Sequence, residues 1–350
     1  DKDGFLDYED LENAIKPNTK LIVTTHASNV CGTLVDIAKV GEIAKKHNIL
    51  YLVDASQTAG VYDIDVKKIN VDMLAAPGHK CLFGPQGTGI LYIREGLNIG
   101  ILKEGGTGSK SEDLFQPDLV PDKYESGTNN TPGIAGLNAG VKFIFEEGIE
   151  NIREREEELC KYMLNRLEEV PNIIVYGTKD VKEKAAVIAL NIGNMDSGEI
   201  TFLLDSEYDI ATRSGIHCSP LAHKTLGTIE QGVVRFSLGY FNTKEDIDKT
   251  IDLASSATVQ IADIVKSLQK DMPAIQTTLN NSINLSNDVK TFLTDTKSSI
   301  NSISPVIKSD LEIINSVSAS ASTAVSDLIT ALDKGYENAP ELVDSLANKL

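Results

Sequence analysis

The sequence is poor in several residues that define common functional classes. Its 350 residues include no tryptophan, four cysteines and five histidines, and 5% of them are aromatic. The cysteines are widely separated and form no CxxC pair. We therefore expect neither a disulfide framework nor a metal site, and the composition suits a reducing compartment such as the cytoplasm.

Positive charge and long apolar runs are also scarce. Lysine and arginine total 33 against 51 aspartate and glutamate residues, which gives a formal net charge of −18. Because a phosphate backbone would be repelled by this charge, we expect no general binding to nucleic acids. No apolar run approaches the roughly 18 residues of a membrane span, and the first residues, Asp-Lys-Asp-Gly-Phe-Leu, do not resemble a signal peptide. No membrane association is expected.

The segment 21–94 alternates between strand and helix patterns in the manner of an α/β domain. The predicted strands are 21–25, 49–53, 73–76 and 89–93, and the predicted helix is 36–47. The apolar run at 49–53 is continuous, which is typical of a parallel strand covered on both faces. Ligands of parallel sheets bind beyond the carboxyl ends of the strands. Asp54 and the region around Lys80 follow two such ends, so both are candidates for a binding site.

The composition changes near residue 254. From there onward the sequence has no arginine, histidine or cysteine, a single glycine, and a high content of serine and threonine. Apolar residues recur every three or four positions, which predicts two or more amphipathic helices. We expect interruptions of these helices around 280–287 and near Pro305. The region resembles no family and is predicted to be a separate helical module.

Six short motifs occur in a fixed order along residues 5 to about 254. They are Thr25-His-Ala-Ser-Asn-Val-Cys-Gly-Thr33, Val53-Asp-Ala-Ser-Gln-Thr-Ala-Gly60, Ala76-Pro-Gly-His-Lys80 followed by Gly84-Pro-Gln-Gly87, Glu125-Ser-Gly-Thr128, Thr212-Arg-Ser-Gly-Ile-His-Cys218, and Val234-Arg-Phe-Ser237 with Asn242-Thr243. In this order they resemble the class V aminotransferase fold group and, within it, the cysteine desulfurases. These enzymes use pyridoxal 5′-phosphate (PLP).

The resemblance implies the roles of four residues around the cofactor ring. Lys80 would hold PLP as a Schiff base and move the proton at the substrate α-carbon. Asp54 would pair with the pyridinium nitrogen, and Gln57 would hydrogen-bond the ring hydroxyl. Asn29 would lie near the ring and the substrate carboxylate. Taken alone, Lys80 would be a solvated surface charge and Asp54 a helix cap, so these roles depend on the surrounding motifs.

Four further roles follow from the same resemblance. His79 would contribute to the phosphate site, and Thr128 would reach the phosphate bound by a partner subunit, which implies a homodimer. Arg235 would bind the substrate carboxylate, for which its planar guanidinium is suited. Cys218 would be the nucleophile that becomes a persulfide, although an isolated cysteine is more commonly an inert buried residue.

The implied fold is that of the PLP-dependent transferases of fold type I, an α/β fold with a mostly parallel sheet. We predict an incomplete large PLP-binding domain at 1–131, a connecting helical region at 132–170, a small α/β domain at 171–254 and the all-α module at 255–350. Family members carry further residues ahead of the match, which supply a phosphate-binding loop and a histidine that stacks on the ring. We locate neither here, so this truncated chain is expected to bind PLP weakly or not at all.

The implied reaction converts L-cysteine to L-alanine and leaves a persulfide on Cys218. The sulfur would pass to an acceptor protein for iron–sulfur cluster or related assembly. Two alternatives stay open: a selenocysteine lyase or other class V PLP enzyme, and an inactive remnant fused to a helical interaction module.

Overall fold

The computed structural model describes residues 1–106 and 108–347, except for the side chains of 257–266, 268, 269 and 335–347. Parts of the predicted region 255–350 therefore lie outside the described residues. The chain forms two compact units, Asp1–Asp263 and Ile264–Leu350. The boundaries of the four regions drawn from the sequence stay predictions.

The first unit begins with a four-stranded sheet. Its strands are β1 (Leu21–Thr25), β2 (Leu50–Asp54), β3 (Met73–Pro77) and β4 (Gly89–Ile93). They lie in the order β1-β2-β3-β4, with the first three parallel and β4 antiparallel to β3. The four predicted strands and the mostly parallel sheet are confirmed. The parallel arrangement brings the ends of β1, β2 and β3 to one edge.

Four helices accompany this sheet. They are α1 (Tyr8–Asn13), α2 (Ile37–Lys46), α3 (Thr131–Glu147) and α4 (Ile149–Glu168). Asp7 and Asp36 begin the first two helices, and their carboxylates accept hydrogen bonds from backbone N–H groups that have no partner inside a helix. Gly148 separates α3 from α4 with a φ of 92°, a conformation that a side chain would strain.

The two faces of the sheet differ in burial. Ile22, Tyr51 and Val53 point to the face that α2, α3 and α4 cover, and they belong to one buried cluster. On the opposite face, Val23 is 58% exposed and Leu91 is 52% exposed. The prediction that strand 49–53 is covered on both faces is confirmed for one face only: Tyr51 and Val53 are buried, whereas Leu50 and Leu52 on the opposite, more open face are half-buried. Asp54 lies on the open face, since side chains alternate along a strand.

A smaller antiparallel sheet completes the first unit. It consists of β5 (Ile173–Tyr176), β6 (Val187–Ile192) and β7 (Val234–Ser237), in that order. Two helices connect β6 to β7, α5 (Ser197–Tyr208) and α6 (Pro220–Leu226). Every residue of β6 is buried, and Ile188, Leu190 and Ile192 form a core with residues of α4 and α5. The apolar runs at 187–191 and 233–237 coincide with β6 and β7 to within one residue.

The final helix, α7, runs from Lys244 to Ala347. The predicted interruptions around 280–287 and near Pro305 are wrong, because the helix continues through both segments. Asparagine, serine and threonine each cost no more than about 0.7 kcal/mol in a helix relative to alanine, so a cluster of them does not require a break. Within the described residues, no helix has the length and hydropathy needed to cross a membrane.

Candidate active site

The carboxyl edge of the first sheet carries the first group of predicted site residues. Asp54 ends β2, and Lys80 lies three residues beyond the end of β3. The turn after β3 is closed by two backbone hydrogen bonds, from Gly78 N to Thr88 O at 2.8 Å and from Gly84 N to Gly78 O at 2.7 Å. This turn leaves His79 and Lys80 exposed to solvent.

Close backbone packing places the segment after Asp54 beside the segment after Lys80. The backbone N–H of Ala55 donates to Ala75 O at 2.9 Å. Gly60 has a φ of +95°, and a Cβ atom at this position would lie 2.5 Å from the carbonyl oxygen of Cys81. Only glycine permits this approach. The segment that carries Gln57 is thereby held against the neighbour of Lys80.

Asp54 is half-buried and is fixed by a local turn. Its Oδ1 atom accepts hydrogen bonds from the backbone N–H of Ser56, at 2.9 Å, and from the Ser56 hydroxyl. The His26 backbone N–H donates to Asp54 O at 2.9 Å, which joins the ends of β1 and β2. The His26 imidazole is buried, where its Nδ1 lies 2.9 Å from Thr58 Oγ1. Burial lowers the pKa of His26 to about 4, so this ring is neutral near pH 7.

A second group of predicted residues meets where the loop after β1 contacts the smaller sheet. The Asn29 side-chain Nδ2 donates to His217 O at 2.8 Å, and Arg235 Nη1 donates to Asn29 O at 2.9 Å. Arg213 Nη2 lies 3.6 Å from Cys218 Sγ. The structure thus brings Asn29, Cys218 and Arg235 together. Asn29 follows the strand that pairs with β2, so its loop lies between the two groups.

Arg213 is a residue that sequence reasoning missed, although it lies in the same motif as Cys218. Its backbone pairs with that of Arg235 through hydrogen bonds of 2.8 and 3.3 Å. Burial and the nearby charge of Arg213 lower the pKa of Arg235. In the part of the chain that the structure describes, neither guanidinium forms an ion pair with a carboxylate, and Arg235 Nε is buried without a hydrogen-bond partner. Two adjacent cations without a counter-ion favour an anionic ligand such as a carboxylate.

Thr128 is exposed. The preceding Gly127 N–H donates to Gly106 O at 2.8 Å, which holds the segment ahead of α3. Among the described residues no hydrogen bond links Thr128 to Asp54, Lys80 or Cys218. Its predicted role toward a partner subunit stays a prediction.

The four cysteines are all free and differ in their surroundings. Cys31 and Cys160 are buried and Cys81 is half-buried, whereas Cys218 is exposed. Burial raises the pKa of the Cys160 thiol and raises that of Cys81 to about 12, which disfavours the reactive thiolate at both positions. Within the described residues no cluster of three or more His, Cys, Asp or Glu side chains could hold a metal ion.

A mostly parallel sheet with a lysine at its carboxyl edge, joined to a small antiparallel sheet, defines a fold shared by PLP-dependent transferases. The family model of the class V aminotransferases matches residues 1–250, and the chain belongs to this family. It is 36% identical over 252 residues to a probable cysteine desulfurase of Methanothermobacter thermautotrophicus, a match that covers 71% of this chain and 62% of that protein. It is 35% identical over 256 residues to a cysteine desulfurase of Escherichia coli, covering 71% of this chain and 61% of the relative.

Solved structures show the same likeness. The apo structure of a cysteine desulfurase from Thermococcus onnurineus matches with a TM-score of 0.66 and 31% identity, over 74% of this chain and 65% of that one. An Escherichia coli cysteine desulfurase in an S-sulfonic acid form matches with a TM-score of 0.66 and 26% identity, over 73% and 63% of the two chains. This chain spans about three fifths of the length of the curated relatives, 62% and 61% for the two named above.

Proposed function

We propose that this chain carries the catalytic residues of a PLP-dependent cysteine desulfurase. The observation that carries the proposal is the exposed Cys218 thiol beside two guanidinium groups that lack a carboxylate partner among the described residues. A substrate carboxylate at Arg235 would place an amino acid next to this thiol. The loop that holds Asn29 joins this region to the sheet edge that carries Asp54 and Lys80.

The donor set at the sheet edge fits the ring of PLP. A carboxylate at a strand end, an amide three residues later and an exposed amine on the adjacent turn are the groups that such a ring requires. When bound, PLP supplies an electron sink for the bonds at the substrate α-carbon. Asp54 would hold a proton on the ring nitrogen, and Gln57 would orient the ring hydroxyl. Lys80 would hold the cofactor through its amine and move the proton at the α-carbon, while His79 and Thr128 would bind the phosphate.

The role of Cys218 is nucleophilic. Its thiolate would form an S–S bond with the substrate sulfur as the Cβ–S bond breaks, and the electron pair of that bond would remain with the carbon skeleton. Protonation of the carbon then gives L-alanine, and the persulfide stays on Cys218. An acceptor protein with a thiol would take this sulfur for iron–sulfur cluster or related assembly. A homodimer in the cytoplasm is the setting that we propose for this transfer.

The cofactor part of the proposal is tested by titrating the purified chain with PLP and following absorbance. We expect weak binding, because no loop for the phosphate is identified among the described residues. An absorbance band that saturates with added PLP, and that the Lys80→Ala variant lacks, would support Lys80 as the residue that holds the cofactor. A band of equal size in Lys80→Ala would contradict it, and Lys67→Ala, which alters another exposed lysine, is the matched control.

The sulfur part is tested by adding L-cysteine to the PLP-loaded chain and locating persulfide by mass spectrometry. Persulfide is expected on Cys218 together with L-alanine, and Cys218→Ala should abolish both. Cys160→Ala, which removes a buried thiol, should retain both. Release of selenide from selenocysteine by Cys218→Ala at the wild-type rate, with no desulfuration of cysteine, would instead identify a selenocysteine lyase.

A further inference from the structure

The backbone around Cys218 has an unusual conformation. His217 has a φ of 51° and Cys218 a φ of 59°, which places both in the left-handed region. Other non-glycine residues with positive φ occur singly in the described chain, and most of them are asparagine or aspartate, which tolerate it best. Two successive residues of this kind are strained, and they persist only where the surrounding structure holds them in place.

The Asn29 side chain makes two contacts with this strained segment. Its Nδ2 donates to the carbonyl oxygen of His217 at 2.8 Å, and its Oδ1 accepts from the Ser219 hydroxyl at 2.8 Å. The two bonds bracket Cys218 on either side along the chain. Both polar groups of the Asn29 amide are thereby used on the segment that carries the thiol.

The Ser219 hydroxyl bonds Asn29 and does not cap the helix that follows it. Ser219 is the N-cap residue of α6, where a serine side chain normally accepts a hydrogen bond from the first turn. Its side chain makes no such capping bond in the described structure. The hydroxyl is directed to Asn29, with a longer second contact of 3.3 Å to His217 O.

The His217 side chain fixes the other end of the segment. Its Nε2 donates to Arg213 O at 3.0 Å, and its ring stacks on His223 with 5.7 Å between ring centroids and an angle of 10° between planes. Burial lowers the pKa of His217 to about 4, so the ring is neutral and Nε2 carries the donated proton near pH 7. The residue before Cys218 is therefore held through both its carbonyl and its ring.

We propose that Asn29 and Ser219, together with His217, form a clamp that positions the Cys218 thiol beside Arg213. Asn29 is in this view a positioning residue for the nucleophile, whereas the family resemblance implies a place beside the cofactor ring. The proposal rests on the proposed function only in taking Cys218 as the nucleophile. Arg235 Nη1 bonds the Asn29 carbonyl, so the clamp is also tied to the arginine proposed to bind the substrate.

The clamp is tested by measuring how fast iodoacetamide alkylates Cys218, with mass spectrometry to resolve each cysteine. This measurement needs neither PLP nor L-cysteine, so it can fail or succeed independently of desulfurase activity. We expect Ser219→Ala to slow alkylation about fivefold at pH 7, the value of a single hydrogen bond. Asn29→Ala, which also loses the bond to His217 O, should slow alkylation at least as much. The cause is that a segment without these bonds no longer holds the thiol in the exposed position beside Arg213, where Nη2 lies 3.6 Å from Sγ.

Three further variants separate positioning from a general loss of structure. Ser219→Thr keeps the hydroxyl and should retain the wild-type rate. Thr225→Ala removes a hydroxyl that bonds within α6, to Leu221 O at 3.1 Å, and should leave the rate unchanged. The double variant of Asn29 and Ser219 should be no slower than Asn29→Ala, because loss of the Asn29 amide already removes its bond to Ser219.

Wild-type alkylation rates in folded Asn29→Ala and Ser219→Ala would overturn the clamp. A slow Ser219→Thr variant would overturn it as well, because the hydroxyl would then not be the group that acts. If Asn29→Ala does not fold, as circular dichroism would reveal, the two Ser219 variants decide the question by themselves.

Discussion

The two compact units differ in what their apolar side chains contact. In Asp1–Asp263 the apolar residues of both sheets form buried clusters, and the candidate site lies at the edges of those sheets. In Ile264–Leu350 no described side chain is buried, and apolar residues such as Ile303 and Leu311 are 54% and 53% exposed. A periodic apolar pattern therefore specifies a helix without specifying a core. The candidate catalytic chemistry belongs entirely to the unit that has one.

The sharpest way to test this difference is to remove equivalent side chains from the two units. Ile188 is fully buried in β6, and Ile188→Ala should lower the free energy of unfolding of the first unit by about 3 kcal/mol. Ile303→Ala should change it by less than about 0.5 kcal/mol, because that side chain is exposed. Urea unfolding followed by tyrosine fluorescence measures both. Equal losses for the two variants would contradict the distinction.

The next effect is expected from Glu156, a buried carboxyl group of the first unit. Glu156 is 7% exposed in α4, and burial raises its pKa to about 7 from 4.5. The folded protein thus binds this proton more tightly than the unfolded chain does. The free energy of unfolding should fall as the pH rises from about 4.5 to about 7 and then level off.

The Glu156→Gln variant should remove this pH-dependent fall in the free energy of unfolding. We expect it to be more stable than the wild type by up to about 3 kcal/mol at pH 8, and nearly equal to it at pH 4.5. Urea unfolding at the two pH values measures the difference. Glu312→Gln in the second unit is the control, because Glu312 is exposed. A Glu156→Gln effect of the same size at both pH values would show that ionisation is not its cause.

The smallest effect is expected in the helix content of the isolated second unit when its concentration is changed. A helix whose apolar side chains are half exposed gains little from packing, so an isolated 264–350 segment should be partly helical when dilute. Its helix content should rise with concentration as copies cover one another's apolar residues. Circular dichroism over a hundredfold concentration range, which corresponds to about 2.8 kcal/mol in free energy of association, would detect this. A helix content that is independent of concentration would contradict self-association.

Local patterns predicted most of the elements of the first unit. The apolar runs in the sequence have the same bounds as the strands Leu21–Thr25 and Gly89–Ile93. The open face of the first sheet was not predicted, because a buried strand and a half-buried strand can have the same apolar run. The long α7 was also missed, since serine- and asparagine-rich segments weaken a helix without ending it.

The candidate site was predicted as individual residues rather than as an arrangement. The motifs indicated Asn29, Cys218 and Arg235, but no periodicity relates positions that lie nearly two hundred residues apart. The contacts of Ser219 and Arg213 depend on how the loop after β1 meets the smaller sheet. Such contacts follow from tertiary packing, which a pattern within one segment does not contain.

The Asn29 contacts have a consequence for the order of folding. Asn29 bonds His217 across 188 residues of chain and Arg235 across 206. Contacts between such distant residues carry a large loop-closure entropy and form slowly compared with helices and adjacent strands. The geometry around the thiol should therefore be among the last features to form as the chain folds. A chain that has gained its helices but not these contacts would have a flexible, unpositioned Cys218.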